Sequence, residues 1–163
     1  MMRTMALIPA LMATAMPASA RDSLGVFEGW GAFRDAAGPR CYAIAEPVRS
    51  SPGKGDRRAF AAIGTWPEKH VRAQFHVRLS RARAEGSALY LSIGDRRFAL
   101  LASAGAGWAQ DARMDAAIIA AMRTTRTMSV EGKAGNGRAF YDLYVLRGAA
   151  TAIDAAALGC IEG

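Results

Sequence analysis

The residues best suited to binding chemistry are basic side chains on one predicted strand. Between residues 70 and 80, apolar and polar residues alternate, which is typical of a strand with one face in the core and one in water. If this strand pairs with the next predicted hairpin, arginines from both gather on one surface. Arginine binds phosphate or carboxylate through its planar fork, so we expect an anion-binding site here; a solvated face kept soluble by charge is the alternative. Its residues are His70, Arg72, His76, Arg78, Arg96 and Arg97.

No catalytic or metal-binding motif accompanies these basic residues. His70 and His76 lie about 20 Å apart in an extended strand, which is too far to share one metal. The sequence has no Gly-x-Ser-x-Gly elbow, no phosphate loop and no His-Glu-x-x-His pair. Asp111 and Asp115 stand near a predicted helix start, where acidic side chains offset the helix dipole. We therefore predict no catalytic residue, no metal and no cofactor.

Two cysteines, Cys41 and Cys160, are widely separated in the sequence. They lack the Cys-x-x-Cys spacing of redox and zinc sites. In an oxidising compartment two such cysteines most simply pair, so a disulfide is favoured. A reactive thiol and two buried free thiols remain as alternatives.

The first 20 residues have the three-part pattern of a cleavable signal peptide. Arg3 precedes an uncharged apolar run over residues 6–16, and residues 17–20 (Pro-Ala-Ser-Ala) offer a small-residue cleavage site. The apolar run is shorter than the ~20 residues of a spanning helix, and no later stretch could span a membrane. We expect a periplasmic or secreted mature chain that begins at Arg21; a buried N-terminal helix is the alternative.

The charge balance is basic, with Lys+Arg 21 against Asp+Glu 14 in 163 residues. A basic protein can attract nucleic acid, anionic lipid or acidic polysaccharide. If the protein is exported, anionic components of the cell envelope are favoured over nucleic acid as its partner. A genomic bias toward arginine is an alternative explanation for the positive charge. The three tryptophans, Trp30, Trp66 and Trp108, are expected to pack in the core or at sheet edges.

The chain after residue 20 reads as one β-rich domain, residues 21–163. Residues 49–56 predict a loop, Gly94-Asp95 a tight turn, and residues 132–137 the tip of a hairpin. Helical spacing predicts two helices, at residues 111–124 and 150–158. In the second helix, Thr151 and Asp154 have the spacing of a capping box, and Gly159 is predicted to end the helix. The sequence predicts a mainly β, antiparallel, sandwich-like fold with two short helices. Besides residues 70–80, the predicted strands are 27–34, 41–45, 59–66, 87–93, 97–101, 128–131 and 140–146.

Several short motifs follow one another along the chain after residue 20. Trp30 is followed by Cys-Tyr-Ala-Ile-Ala from Cys41, a Gly-Asp-Arg-Arg-Phe-Ala-Leu hairpin over residues 94–100, and Trp108. The closing run Asp-Leu-Tyr-Val-Leu-Arg-Gly over residues 142–148 is the most specific part and precedes a short helix. The order of these motifs resembles the invasion-associated locus B family of exported α-proteobacterial proteins. Family members often carry an aromatic residue after that glycine, where this chain has Ala149. The resemblance covers most of the chain after residue 20 and implies no established catalytic residue.

Three functions are consistent with these features. The first is a non-catalytic envelope protein that binds a protein partner or an anionic surface component. The second is an exported hydrolase with an unrecognised site, which would need a pocket holding a perturbed histidine or carboxylate. The third, nucleic-acid binding, is suggested by the charge, but export and the lack of a nucleic-acid motif argue against it.

The N-terminal pattern and the cysteines predict the covalent form of the exported protein. Intact-mass measurement on the envelope fraction of the host should give a chain that starts at Arg21 and is two hydrogens lighter than the dithiol form. Adding reductant should restore those two hydrogens. An uncleaved chain with both thiols free would contradict export and the envelope function with it.

Overall fold

The computed structural model describes residues 21–35, 40–52 and 57–161. Its strands form two antiparallel sheets, and two helices pack beside them. The predicted mainly β, sandwich-like class with two helices is therefore confirmed. The predicted signal peptide, residues 1–20, lies outside the described residues, as do residues 53–56 of the predicted loop.

The strands are numbered in chain order and divide unequally between the sheets. The larger sheet contains, from edge to edge, β1 (Arg21–Phe27), β2 (Trp30–Asp35), β3 (Arg40–Ala45), β5 (Phe60–Trp66), β6 (Val71–Arg78), β10 (Ala106–Trp108) and β9 (Leu101–Ala102). The smaller sheet contains β4 (Arg49–Ser50), β12 (Ala139–Val145), β11 (Thr127–Lys133), β7 (Tyr90–Ile93) and β8 (Arg96–Ala99). The chain passes between the sheets more than once, so neither sheet is a separate domain.

Alternation along the strands gives each sheet one apolar face. Phe75 and Val77 of β6 are fully buried, and so are Met128 and Val130 of β11. Side chains from both sheets and both helices form one contiguous hydrophobic core. Burial of one such side chain stabilises the fold by about 1.5–3 kcal/mol, so this shared core is the main attraction between the layers.

Helix α1 (Ala112–Thr124) is anchored by two aspartates in its first turn. The Asp111 side chain accepts a hydrogen bond of 2.7 Å from the Met114 amide and caps the helix. Asp115 is buried and accepts a 2.7 Å hydrogen bond from the Phe75 amide of β6. Burial raises the pKa of the Asp115 carboxyl, although this hydrogen bond opposes the shift. Asp115 therefore joins helix to sheet, beyond the dipole role expected from its position.

Helix α2 (Ala149–Gly159) begins differently from the prediction. Its N-cap is Gly148, in the left-handed region at φ 86°, and no side chain caps the first turn. The capping box predicted from Thr151 and Asp154 is therefore wrong. Asp154 instead accepts a 3.1 Å hydrogen bond from Arg123 of α1, so it links the two helices. No helix in the described part of the chain is long and apolar enough to cross a membrane.

The favoured disulfide is present between Cys41 on β3 and Cys160, which follows α2. Their Cα atoms are 5.7 Å apart. The bond fixes the end of α2 on the inner face of the larger sheet. Close approach also depends on Gly159, because a Cβ there would lie 2.4 Å from a methyl carbon of Leu24.

The N-terminal strand predicted at residues 27–34 is two strands instead of one. The chain reverses at Glu28 and Gly29, where Glu28 has φ 54°, and β1 pairs back on β2. The residues of β1 were not predicted as a strand because their alternation is irregular. A register shift between Ser23 and Gly25 interrupts it.

Strand β6 is shorter than the predicted strand at residues 70–80 and carries a bulge. Ala73 has φ 50°, and its amide donates to the Thr65 hydroxyl at 3.1 Å instead of continuing the ladder. His70 precedes the strand, in a left-handed turn that closes a 3₁₀ helix (Pro67–Lys69). One inserted residue moves the side chains that precede it to the opposite face of the strand. The prediction that apolar and polar residues alternate without interruption from 70 to 80 is therefore wrong.

Buried polar contacts join the two sheets. Asp142 on β12 is fully buried and accepts hydrogen bonds from the Ser50 hydroxyl at 2.6 Å and the Ser80 amide at 3.0 Å. The contact with Ser50 holds β4, so residues 49–50 form a strand where a loop was predicted. At the end of β12, the Trp30 indole of β2 donates to the Val145 carbonyl at 2.9 Å.

Removal of the disulfide should lower the free energy of unfolding strongly. The two cysteines are 119 residues apart in sequence, and closure of a loop of that size is worth about 4–5 kcal/mol through the entropy of the unfolded chain. We expect Cys41→Ala with Cys160→Ala to lose stability on that scale in urea denaturation. Reduction of the unmodified protein should give a similar loss, and a loss below about 1 kcal/mol would contradict this role.

Candidate functional site

The larger sheet has one covered and one open face in the described part of the chain. Both helices and the smaller sheet pack on its inner side, where Cys41 meets Cys160 and Phe75 meets Asp115. No described element covers the outer side. We call this outer surface the aromatic face; its large side chains are Phe33, Tyr42, Ile44, Phe60, Trp66, His76 and Trp108.

The pairing register brings these aromatic residues together from strands distant in sequence. His76 of β6 lies opposite Ala62 of β5 on one side and opposite Trp108 of β10 on the other. Gly64 allows the Trp66 ring to lie on the sheet, because a Cβ at Gly64 would come within 2.6 Å of that ring. The result is a broad surface of packed rings.

His76 is held between two rings at the centre of this surface. Its imidazole stacks on Trp108, with ring centres 5.2 Å apart, and meets the edge of Phe60 at 5.4 Å. Burial lowers the pKa of His76, and the positive charge of Arg40 lowers it further. The imidazole is therefore biased toward its neutral form and acts as an aromatic surface.

A cluster of two arginines and one aspartate borders the face. Arg21 and Arg40 both donate to the Asp35 carboxylate, and the Tyr42 hydroxyl also lies 3.3 Å from it. Burial disfavours the charged carboxylate, but the hydrogen bonds and charges of Arg40 and Arg21 outweigh this, so the pKa of Asp35 is lowered. Both guanidinium groups lie over the Tyr42 ring, at 5.7 and 4.7 Å from its centre. One carboxylate thus pairs with two cations, which leaves one positive charge in excess.

Two recesses lie side by side on the aromatic face and share Ile44 and Phe60 in their walls. The smaller, of about 250 Å³, is bordered by Arg21 and Arg40. The larger, of about 500 Å³, is bordered by Arg58 and Arg78.

The charges at the larger recess are exposed. Arg58 is 84% exposed and pairs with Glu46 at 3.0 Å. Arg78 is exposed and forms no ion pair with any residue in the described ranges. Arginine therefore borders both recesses.

The structure does not bring the predicted anion-binding residues together. His76 and Arg78 lie on the aromatic face, but Arg72 precedes the bulge and borders a hollow beside α1 with Asp115. His70 is exposed in the turn before β6. The physical reason is the bulge at Ala73, which reverses the direction of side chains before it.

Arg96 and Arg97 are separate from that group because β8 does not pair with β6. Both belong to the smaller sheet, where β8 pairs with β7. Arg96 lies over the Phe98 ring and donates to the Ala117 carbonyl of α1 at 3.3 Å. Arg97 lies on the opposite face of the strand, over Tyr90, in a cleft of the smaller sheet.

The aromatic residues of the face were not singled out from the sequence. Trp30 is fully buried, in agreement with a core position, but Trp66 and Trp108 lie on the outer face. The available signal was the alternation along β5, which places Phe60 and Trp66 on the same side of the strand as Ala62 and Gly64. That alternation shows a common face; it does not show which neighbouring strands complete it.

In the described ranges, no group of three or more histidine, cysteine, aspartate or glutamate side chains is placed to hold a metal ion. No protein-family model, no characterised protein and no solved structure matches the chain. The geometry and charge of the two outer sheet faces are therefore the basis for a functional proposal.

The effect of the Arg40 charge should be measurable as a change in the pKa of His76. We expect Arg40→Gln to raise the pKa of His76, because loss of the neighbouring cation removes one of the two causes that lower it. NMR titration of the imidazole carbon-bound protons gives this value directly. Arg113→Gln, an exposed change on α1, should leave it unchanged; an unchanged His76 pKa in Arg40→Gln would show that burial alone sets it.

Proposed function

We propose that this protein is an exported, non-catalytic envelope protein of the invasion-associated locus B type that docks on phosphate-bearing lipid surfaces. The observation that carries the proposal is the aromatic face, an open sheet surface with packed rings and arginines at both recesses. The family type rests on the motif order from Trp30 to Gly148. Export rests on the N-terminal pattern, and the Cys41–Cys160 disulfide supports an oxidising compartment.

The charge of the face suits an anionic partner. Four arginines border it (Arg21, Arg40, Arg58 and Arg78), against the carboxylates of Asp35, Glu46 and Glu28. Glu28 is paired with Arg147, and with Arg147 included five positive charges less three negative ones leave an excess of two. Anionic headgroups attract each basic side chain near the surface by about 1 kcal/mol. The same excess disfavours a second copy of this face as the partner, since like charges would meet.

The apolar groups of the face suit a lipid interface rather than a soluble polymer. Tryptophan and tyrosine prefer the boundary between headgroups and acyl chains, and Trp66 and Trp108 lie on this surface. At its rims, Val26 is 70% exposed and Leu101 is 54% exposed. These side chains would enter the headgroup layer while the arginines contact phosphate.

The histidines support binding more than hydrolysis. A histidine base needs a partner that orients it and a substrate proton within reach. His76 is packed between rings, has a lowered pKa and forms no hydrogen bond with any residue in the described ranges. His70 is exposed in a turn. No specific feature of the described chain favours the hydrolase alternative.

Vesicle binding tests the proposal. The purified protein should bind vesicles that contain phosphatidylglycerol and should ignore vesicles of phosphatidylcholine alone, with binding that weakens as salt rises. A blue shift of tryptophan emission would report Trp66 and Trp108, since Trp30 is already fully buried. Arg58→Gln with Arg78→Gln should weaken partitioning by about 2 kcal/mol, or roughly 30-fold.

The matched control carries the same change of charge away from the face. Arg113→Gln with Arg138→Gln removes two exposed arginines, one from α1 and one from the β11–β12 hairpin. This variant should bind nearly as well as the unmodified protein. Equal weakening in both variants would mean that only net charge matters, and would overturn a specific face. Binding to a soluble polyuronate but not to vesicles would overturn the lipid surface as the partner.

A further inference from the structure

The smaller sheet carries a cleft on its own outer face, separate from the aromatic face. It has a volume of about 900 Å³ and lies over β7, β11 and β12. This volume falls within the range of small-molecule sites in proteins. We infer that this cleft is a second ligand site, which takes a sugar acid: a pyranose ring that carries a carboxylate.

The floor of the cleft is set by strand register. Tyr90 of β7, Glu131 of β11 and Tyr141 of β12 are direct neighbours across the sheet. Their side chains point to the same outer face, and two strand spacings place the two tyrosines about 10 Å apart. The cleft thus has a central carboxylate with an aromatic ring on each side.

Glu131 is held in place by contacts on both oxygens. The Ser129 hydroxyl donates to one oxygen at 2.9 Å, and Arg97 lies 3.7 Å from the other. The second distance is too long for a hydrogen bond. That oxygen can therefore accept a hydrogen bond from a ligand hydroxyl.

Arg97 is positioned to bind an anion. Its guanidinium carbon is 3.9 Å from the centre of the Tyr90 ring, which fixes the plane of the fork. The side chain is 57% exposed and donates no hydrogen bond to any residue in the described ranges. Its donors can pair with a carboxylate in a bidentate manner. Lys133 adds a second cation to the wall of the cleft.

A sugar acid matches all of these groups at once. Its carboxylate would pair with Arg97, its ring hydroxyls would donate to Glu131, and the apolar face of its ring would cover a tyrosine. Two cations against one carboxylate leave the cleft with an excess of one positive charge, which complements one ligand carboxylate. Hydrolysis is not part of this inference, because glycosidases use a pair of carboxyl groups and Glu131 is the one acidic residue among the described residues of the wall.

The test uses a galacturonic acid tetramer and its methyl ester, which has the same rings without the charges. NMR titration of the full protein should show shifts at Tyr90, Tyr141 and Arg97 with the acid and weaker or absent shifts with the ester. Arg97→Gln should weaken binding of the acid by about tenfold or more, because a charged hydrogen-bonded pair is lost.

Arg96→Gln is the matched control, since it removes the same charge one residue away on the opposite face of β8. It should bind the tetramer as the unmodified protein does. Equal binding by Arg97→Gln, equal binding of acid and ester, or shifts confined to the aromatic face would each overturn the inference. Because Arg97 is remote from Arg58 and Arg78, failure of vesicle binding with intact tetramer binding would refute the proposed function and leave this inference standing.

Discussion

The structure depends on one-sided burial of its two sheets. Apolar side chains of both sheets meet in a single core, and both helices join that same core. The described chain has no further helix to cover an outer face, so two sheet surfaces remain in water. A β-sheet with a free face usually presents scattered polar side chains there. Here one outer face carries packed aromatic rings with arginines, and the other carries an ordered set of tyrosine, arginine and glutamate.

The C-terminal helix is joined both to the larger sheet and to the other helix. A disulfide joins its end to the inner face of β3, and Gly159 allows the helix to approach Leu24 closely. An ion pair from Asp154 to Arg123 joins it to the other helix. Because the helix is fixed at its end and along its side, it covers the inner face of β1, β2 and β3. Only the outer face of those strands is therefore accessible to a ligand.

The two proposed sites face away from each other across the sandwich. The aromatic face is broad and bordered by arginines, which fits an extended charged surface. The cleft of the smaller sheet is larger than either recess of that face and contains a single carboxylate held between Ser129 and Arg97, which fits one ring of a ligand. Under the two proposals, one side of the protein would contact a lipid surface and the other an acidic sugar.

The mainly β class and most strand and helix positions could be predicted from the sequence, because alternation and helical spacing are local. The pairing of Cys41 with Cys160 was favoured over free thiols, because only two cysteines exist. The sequence did not show which side chains share an exposed surface. A single bulge at Ala73 separates Arg72 from His76, and the assignment of β6 and β8 to different sheets separates Arg78 from Arg97. Both depend on which strands are neighbours. Strand pairing is a long-range property set by the shared core, so only the tertiary structure could decide which basic and aromatic side chains share a face.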